Sequence, residues 1–138
     1  MLARKAVLGN TDGDRMFIGE DITIRCQLVV QNQVTKVDAV EGDISGNAYA
    51  FEIKLSPGDT AAIIDLATGG DGITFANGDT ALGELSGANT VVVIAVSDTE
   101  TEKITTPGLY YWDLWRTDSG AESVVAYGRI RFSDSVTL

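Results

Sequence analysis

The sequence predicts an all-β fold: an antiparallel β-sandwich of about seven or eight strands with one short helical turn near residues 97–104. Apolar residues alternate with polar ones in most of the apolar segments, and turn residues separate these segments at short intervals. No segment has the periodicity of an amphipathic helix of ordinary length. With 138 residues the chain has the size of one domain.

The first half of the chain contains three segments that we predict to be strands. In "EDITIRCQLVV" one face is apolar and carries Ile22, Ile24, Cys26, Leu28 and Val30. In "NAYAFEIKLS" one face carries Tyr49, Phe51, Ile53 and Leu55. The turn residues of "SPGD" follow, and "TAAIIDL" is a further short strand. This period of two indicates strands with one buried face.

In the middle of the chain, "ITFANGD" contains Asn77-Gly78, which predicts a tight hairpin turn. The apolar run "VVVIAV" predicts a buried strand. Ser97 and Glu100 fit a capping box that opens one helical turn, and Pro107-Gly108 ends that segment.

The next segment, "GLYYWDLWR", lacks a polar side. Tyr110, Trp112 and Leu114 share one face, which we expect to lie in the core. Tyr110 is a candidate corner tyrosine whose hydroxyl ties down the adjoining loop. Tyr111 and Trp115 lie on the opposite face. Either a loop of the same chain, such as the N-terminal fifteen residues, covers them, or another protein does.

The final segment, "ESVVAYGRIRF", closes the predicted sandwich. One side carries Val124, Ala126, Gly128, Ile130 and Phe132, and the other carries Val125, Tyr127, Arg129 and Arg131. We predict one domain over residues 16–138, preceded by an N-terminal arm over residues 1–15. Arg4 and Lys5 on that arm are candidates for contact with a neighbouring subunit.

Composition disfavours several classes of function. Twenty acidic and ten basic residues give a formal net charge of −10, which repels nucleic-acid backbones. The single cysteine, Cys26, has no partner for an internal disulfide and fits a small buried residue. The apolar patch at the N-terminus is too short for a signal peptide, and "VVVIAV" is too short to cross a membrane. We expect synthesis in a cytoplasm and no membrane partner.

Candidate catalytic and metal-binding residues are few. The chain has no histidine, which removes the commonest general base and metal ligand. The acidic residues cluster in turns, where carboxylates usually cap backbone donors. Asn10, Asp12, Asp14 and Asp21 have the spacing of part of a calcium loop, but Arg15 stands where that loop needs glycine. We therefore predict no enzyme, no cofactor and no metal.

Four segments in order resemble small immunoglobulin-like proteins encoded among the structural genes of tailed bacteriophages. They are "DISGNAYAFEIK", "AIIDLATGGDGITFANGD", "PGLYYWDLWRTDSG" and "YGRIRF". The resemblance runs from about residue 16 to residue 133, as judged by the order of strands and turns. Similar domains form the N-terminus of baseplate upper proteins, which connect fibres to the tail. Those proteins continue into further modules, whereas this chain stops at Leu138.

The resemblance implies an immunoglobulin-like sandwich and a structural virion protein, made in the host bacterial cytoplasm. Such a protein is an assembly or adaptor module of the tail, baseplate or fibre attachment. Its expected partners are other virion proteins, such as tail, baseplate, fibre or capsid subunits, in multiple copies within a symmetric assembly. The candidate interface residues are Tyr111, Trp115, Arg4 and Lys5. Alternatives are a capsid decoration or neck whisker, and a module that binds host glycans through Tyr111 and Trp115.

Overall fold

The computed structural model describes residues 2–9, 15–70 and 72–134, and of residues 2–9 and 15 it describes only the backbone. Within these residues, ten strands form two five-stranded sheets, with one short α-helix and one 3₁₀ turn. The predicted all-β sandwich is confirmed. The strand count exceeds the predicted seven or eight for two reasons. The strand β1 (Leu2–Gly9) lies in the segment predicted to be an arm, and the strands β2 (Arg15–Phe17) and β4 (Asp38–Val40) have three residues each, too few to produce a visible alternation.

The first sheet has the strand order β1-β3-β8-β7, and β4 pairs with the far end of β3. Its strands are β1 (Leu2–Gly9), β3 (Ile22–Gln31), β4 (Asp38–Val40), β7 (Ile73–Ala76) and β8 (Val91–Val96). All of its ladders are antiparallel. The strand β1 pairs with β3 along its whole length, from Leu2 opposite Val30 to Gly9 opposite Thr23. Residues 2–9, assigned from the sequence to an arm, therefore belong to the sandwich.

The second sheet has the order β2-β10-β9-β5-β6. Its strands are β2 (Arg15–Phe17), β5 (Tyr49–Lys54), β6 (Ile64–Ala67), β9 (Gly108–Arg116) and β10 (Ser123–Ser133). The ladders among β5, β6, β9 and β10 are antiparallel, but β2 runs parallel to β10. Among the described strands, the ladders are thus antiparallel except at this edge.

The strand orders match the immunoglobulin topology. In that fold, strands A, B, E and D form one sheet and strands G, F and C form the other. Here β1, β3, β8 and β7 stand in the A-B-E-D order, and β10, β9 and β5 stand in the G-F-C order. The strand β6 extends the second sheet as the additional strand of variable-type domains does.

The core lies between the two sheets, where the alternation predicted it. Its first layer is built from Ile22, Ile24, Cys26, Leu28, Val92, Ile94 and Val96. The facing layer is built from Tyr49, Phe51, Ile53, Tyr110, Trp112, Leu114, Ile130 and Phe132. Burial raises the pKa of the Cys26 thiol to about 12, so this cysteine acts as a small apolar residue.

Tyr110 stands at the start of β9 and its hydroxyl donates a hydrogen bond of 2.6 Å to the Thr106 carbonyl oxygen. This is the geometry of a tyrosine corner. In antibody domains, the second cysteine of the conserved disulfide lies two residues after the corner tyrosine. Trp112 occupies that position here and packs at 6.0 Å, between ring centroids, from Phe51.

The predicted helical turn is present as α1 (Asp98–Thr101), whose N-cap Ser97 accepts a hydrogen bond from the Glu100 amide. The predicted tight hairpin at Asn77-Gly78 is wrong. The strands β7 and β8 pair with Ala76 opposite Val91, so the whole segment 77–90 connects them. Gly78 instead allows a close approach, since a Cβ atom there would lie 1.7 Å from the Leu85 carbonyl oxygen.

Candidate functional site

The two outer faces of the sandwich differ in what covers them. On the first sheet, the outward residues Gln27, Val29 and Val91 are buried, although they do not face the core. Segment 77–90, which contains the 3₁₀ turn Thr80–Leu82, is hydrogen-bonded to Gln27 through Leu85 and Thr90. The protein therefore covers the part of this outer face around Gln27 with its own chain.

Gln27 is the main attachment point of this covering segment. Its amide nitrogen donates to the Leu85 carbonyl oxygen at 2.7 Å, and its amide oxygen accepts from the Leu85 amide at 2.8 Å. The same nitrogen donates to the Thr90 hydroxyl at 3.1 Å. Gln27 thus pairs with the segment as a neighbouring strand would, which explains a polar residue that is only 1% exposed.

A second attachment joins Arg25 of β3 to Glu84 of the segment. The guanidinium donates to both carboxylate oxygens, at 2.8 and 3.1 Å. The Glu84 carboxylate also accepts from the Asp79 amide at 3.0 Å. Glu84 is 5% exposed, so its negative charge is buried and compensated by a bidentate ion pair.

The second sheet presents an outer face with a different character. Its central strand is β9, which pairs with β10 on one side and with β5 on the other. From β10, Arg129, Tyr127 and Val124 lie opposite Tyr111, Asp113 and Trp115 of β9, respectively. From β5, Lys54, Glu52 and Ala50 lie opposite the same three residues. We call this surface the outer aromatic face. It comprises Ala50, Glu52, Lys54, Tyr111, Asp113, Trp115, Val124, Tyr127, Arg129 and Arg131.

Large apolar side chains on this face are open to solvent. Tyr127 is 81% exposed, Val124 is 46% exposed and Trp115 is 37% exposed. Val124 points outward because the register shifts between Val124 and Ala126, so the prediction that Val124 shares a side of the strand with Ala126 and Ile130 is wrong. The bulge buries both Val125 and Ala126 and places Val124 beside Trp115. The result is a continuous apolar patch on the surface.

Polar groups on the face pair with one another. The Trp115 indole donates to an Asp113 carboxylate oxygen at 2.7 Å, which fixes the orientation of the ring. Lys54 and Glu52 form an ion pair at 3.1 Å. Burial raises the pKa of the Asp113 carboxyl above its usual value, while the hydrogen bond from Trp115 opposes the shift. These contacts orient the Trp115, Lys54 and Glu52 side chains on the face.

A shallow groove on the face is lined by residues that include Lys54, Pro57, Tyr111, Asp113 and Tyr127. Its volume is about 240 Å³. Small-molecule sites usually enclose about 300–1,000 Å³. The groove suits a side chain of a protein partner better than a buried small ligand.

The structure places the candidate residues from the sequence in different environments. Tyr111 and Trp115 belong to the outer aromatic face. Tyr110, Trp112 and Leu114 are buried, at 5% exposure or less. The side chains of Arg4 and Lys5 lie outside the described part of the protein, although their backbone pairs within β1.

The calcium-loop alternative falls largely outside the described residues, since Asn10, Asp12 and Asp14 are not among them. Asp21 is described, and its carboxylate accepts from the Asp98 amide at 2.7 Å, next to the N-cap of α1. In residues 15–70 and 72–134 no group of three acidic or cysteine side chains has an arrangement that holds a metal ion. Within the described chain, no helix has the length and apolarity needed to cross a bilayer.

Sequence reasoning did not single out Tyr127, the most exposed aromatic residue of the face. The signal was present, because "YGRIRF" alternates and sets Tyr127, Arg129 and Arg131 on one side. The pairing of β10 with β9 cannot be predicted from this alternation alone. That pairing brings Tyr127 beside Asp113 and Arg129 beside Tyr111.

Comparison with protein-family models and with curated proteins gives no match. Among solved structures, the chain is similar to part of a β-glucosidase from Listeria innocua in complex with glucose, at 10% identity and a TM-score of 0.42. That match covers 99% of this chain and 17% of the glucosidase. The chain is also similar to AggA, the major subunit of aggregative adherence fimbriae type I from Escherichia coli, at 12% identity and a TM-score of 0.32. This match covers 98% of this chain and 95% of AggA. Neither likeness supports an inference about function.

Proposed function

We propose that the protein is a non-enzymatic structural module of a tailed-phage virion, which joins neighbouring subunits in the tail, baseplate or fibre attachment. The observation that carries the proposal is the contrast between its two outer faces. Segment 77–90 covers one face around Gln27, while the other face exposes Trp115, Val124 and Tyr127. A contiguous exposed apolar patch of this kind is typical of a protein–protein interface.

The mechanism is geometric. Tyrosine and tryptophan give large, rigid contact areas with few rotatable bonds, and they dominate the binding energy of many interfaces. The hydrogen bond from Trp115 to Asp113 already fixes the indole, so little side-chain entropy is lost when a partner packs against it. A stiff sandwich with such a face sets the position and orientation of the subunit beside it.

The virion assignment depends on the sequence resemblance, and the interface assignment depends on the outer aromatic face. In this proposal the protein is made in the host cytoplasm and is then incorporated into the particle with other virion proteins. A place on the capsid or neck is the alternative. Copy number separates the two, because a capsid decoration occurs in hundreds of copies and a tail protein in a small multiple of three or six.

The test is an electron cryo-microscopy map of the particle whose genome encodes this chain. We expect the chain in the tail or baseplate, with the outer aromatic face against a neighbouring subunit. Particles that carry Trp115→Ala should lose this subunit, whereas Val34→Ser, a change at an exposed valine in the β3–β4 turn, should have no effect. A particle without the chain, or wild-type assembly of a folded Trp115→Ala variant, would contradict the proposal.

A second candidate function is binding of a host glycan. It is favoured by the groove, where the rings of Tyr111 and Tyr127 lie near the charged groups of Asp113 and Lys54. Sugars stack on aromatic rings and hydrogen-bond to such groups. Binding of the isolated protein to a glycan array, lost in Tyr127→Ser, would support this function. Burial of Trp115 and Tyr127 in the assembled particle would remove it.

A further inference from the structure

We infer that the partner on the outer aromatic face is an acidic segment of a different virion subunit. The partner's carboxylates contact Arg129 and Arg131, and its apolar side chains pack against Trp115 and Val124. This inference rests on the proposed function, because it names the chemistry of the partner at the same face. The argument comes from the order of charged and apolar residues along the strands.

The character of the face changes along its strands. The ladder register arranges its residues in rows that run from β10 across β9 to β5. The first row is Arg129, Tyr111 and Lys54, the second is Tyr127, Asp113 and Glu52, and the third is Val124, Trp115 and Ala50. Arg131 lies one row before the first, opposite Leu109. The face therefore has a basic end and an apolar end.

The acidic residues of the middle row are already engaged. The Glu52 carboxylate pairs with Lys54 at 3.1 Å, and Asp113 accepts the hydrogen bond of 2.7 Å from Trp115 Nε1. Two copies that meet through identical faces must supply both charges from that face. A second copy offers no unengaged carboxylate in these rows, so the observations favour a different chain as the partner.

Arg129 and Arg131 carry the charge that is not neutralised. Both are exposed, and among residues 15–70 and 72–134 neither has an ion pair or a side-chain hydrogen bond. The other arginines whose side chains are described, Arg25 and Arg116, are each paired with an acid. Opposite charges across an interface select the partner and its orientation. A partner with carboxylates at this end therefore fits both guanidinium groups, whereas a basic partner is repelled.

The spacing of the two arginines fits an extended partner segment. Arg129 and Arg131 are two residues apart on one side of β10, which separates them by about 6.8 Å. Alternate side chains of an extended segment have the same separation, so two acids at alternate positions each reach one arginine. The next alternate position lies over Tyr127, which lines the groove of about 240 Å³, and takes an apolar side chain.

Other anionic ligands fit the face less well. The formal net charge of −10 repels the phosphate backbone of a nucleic acid. A sulfated glycan supplies anions and rings that stack on Trp115, but it has no apolar side chain to pack against Val124, which is 46% exposed. A protein segment supplies both the carboxylates and the apolar side chains.

The test is an NMR titration of the full chain with two synthetic pentapeptides. The acidic probe has the pattern glutamate–serine–glutamate–serine–leucine, and the matched probe has lysine in place of glutamate. We expect the acidic probe to shift the amide signals of Arg129 and Tyr127, with a dissociation constant on the order of 1 mM. The lysine probe should cause no shift there.

Two charge reversals show whether the arginines bind the probe. Arg129→Glu should raise the dissociation constant of the acidic probe at least about tenfold, because a like charge replaces the contact. Lys36→Glu is the matched control, since Lys36 is an exposed cation of the β3–β4 turn without an ion pair in the described part of the chain. It changes the net charge equally and should leave binding unchanged.

The same variants test the contact in the assembled particle. Arg129→Glu combined with Arg131→Glu should lower the copy number of this subunit at least about tenfold, and Lys36→Glu should not change it. A melting temperature near the wild-type value would show that the double variant folds.

Equal binding of the acidic and lysine probes overturns the inference, and so does tighter binding of a sulfated disaccharide than of the acidic probe. Wild-type incorporation of the folded double variant overturns it as well. If Trp115→Ala still removes the subunit from the particle, the proposed function stands without this inference. If Trp115→Ala also assembles normally, the proposed function fails with it.

Discussion

Replacing Gln27 with alanine removes the main attachment of segment 77–90 to the first sheet. The side-chain amide makes three hydrogen bonds, two with the Leu85 backbone and one with the Thr90 hydroxyl. The variant leaves the Leu85 amide and carbonyl without partners. The Thr90 hydroxyl keeps its second bond, to the Gly87 carbonyl oxygen at 3.1 Å.

The expected loss follows from these contacts. A buried polar group without a partner costs about 1–3 kcal/mol. Two such groups are created at Leu85, which is only partly buried, so water offsets part of the penalty. We expect the free energy of unfolding to fall by about 2–4 kcal/mol, which for a domain of this size lowers the melting temperature by about 8–16 °C.

Urea denaturation followed by tryptophan fluorescence measures the change. Gln31→Ala is the control, because Gln31 lies on the same strand but makes only hydrogen bonds of 3.3 and 3.5 Å near solvent. It should alter stability by no more than about 0.5 kcal/mol. A loss below about 1 kcal/mol for Gln27→Ala, or one equal to that of Gln31→Ala, would refute the reasoning that Gln27 holds the segment in place.

Three further changes have defined outcomes. Gly78→Ala should cost about 3 kcal/mol or more, since its Cβ would lie 1.7 Å from the Leu85 carbonyl oxygen, whereas Gly58→Ala meets nothing within 4 Å and should be neutral in the same urea titration. Tyr110→Phe should lose about 1–1.5 kcal/mol, the value of its corner hydrogen bond, and calorimetry that finds no change would contradict this. The pKa of Asp113 is raised above 3.8 in the folded protein, so its ionisation opposes folding as the pH rises through that pKa. Stability measured at about pH 3 and about pH 7 should therefore improve for Asp113→Asn, relative to wild type, only at the higher pH.

The alternation of apolar residues predicted the sandwich because each core strand has one buried face. The prediction succeeded for β5 and β9, and for β3 as far as Leu28. Val30, predicted on the apolar face of β3, is 36% exposed, whereas Val29 is buried. The prediction failed in β10, where a β-bulge at Val125 turns the Val124 side chain to the outer face of the sheet. A bulge depends on pairing with the neighbouring strand, and that pairing is not visible in the sequence of β10 alone.

The outer surfaces were harder to predict than the core. Arg25 and Gln27 have the spacing of a solvated face, yet Gln27 is 1% exposed under a segment that is distant in sequence. Asn77-Gly78 has the residue types of a hairpin turn, yet Gly78 is needed because its backbone packs directly against the Leu85 carbonyl oxygen of the same segment. These errors share one cause, because long-range contacts override local turn and exposure preferences. Tyr111 and Trp115 were identified because both faces of β9 are aromatic, which needs no knowledge of the rest of the fold.

Exposure of Tyr127 in the assembled state is the most direct test of whether another protein covers the outer aromatic face. Hydroxyl-radical footprinting measures it, with Val34 as the internal reference. We predict that oxidation of Tyr127, 81% exposed in the single chain, falls severalfold on assembly while oxidation of Val34 does not change. Equal oxidation of Tyr127 in the free and assembled protein would contradict the account.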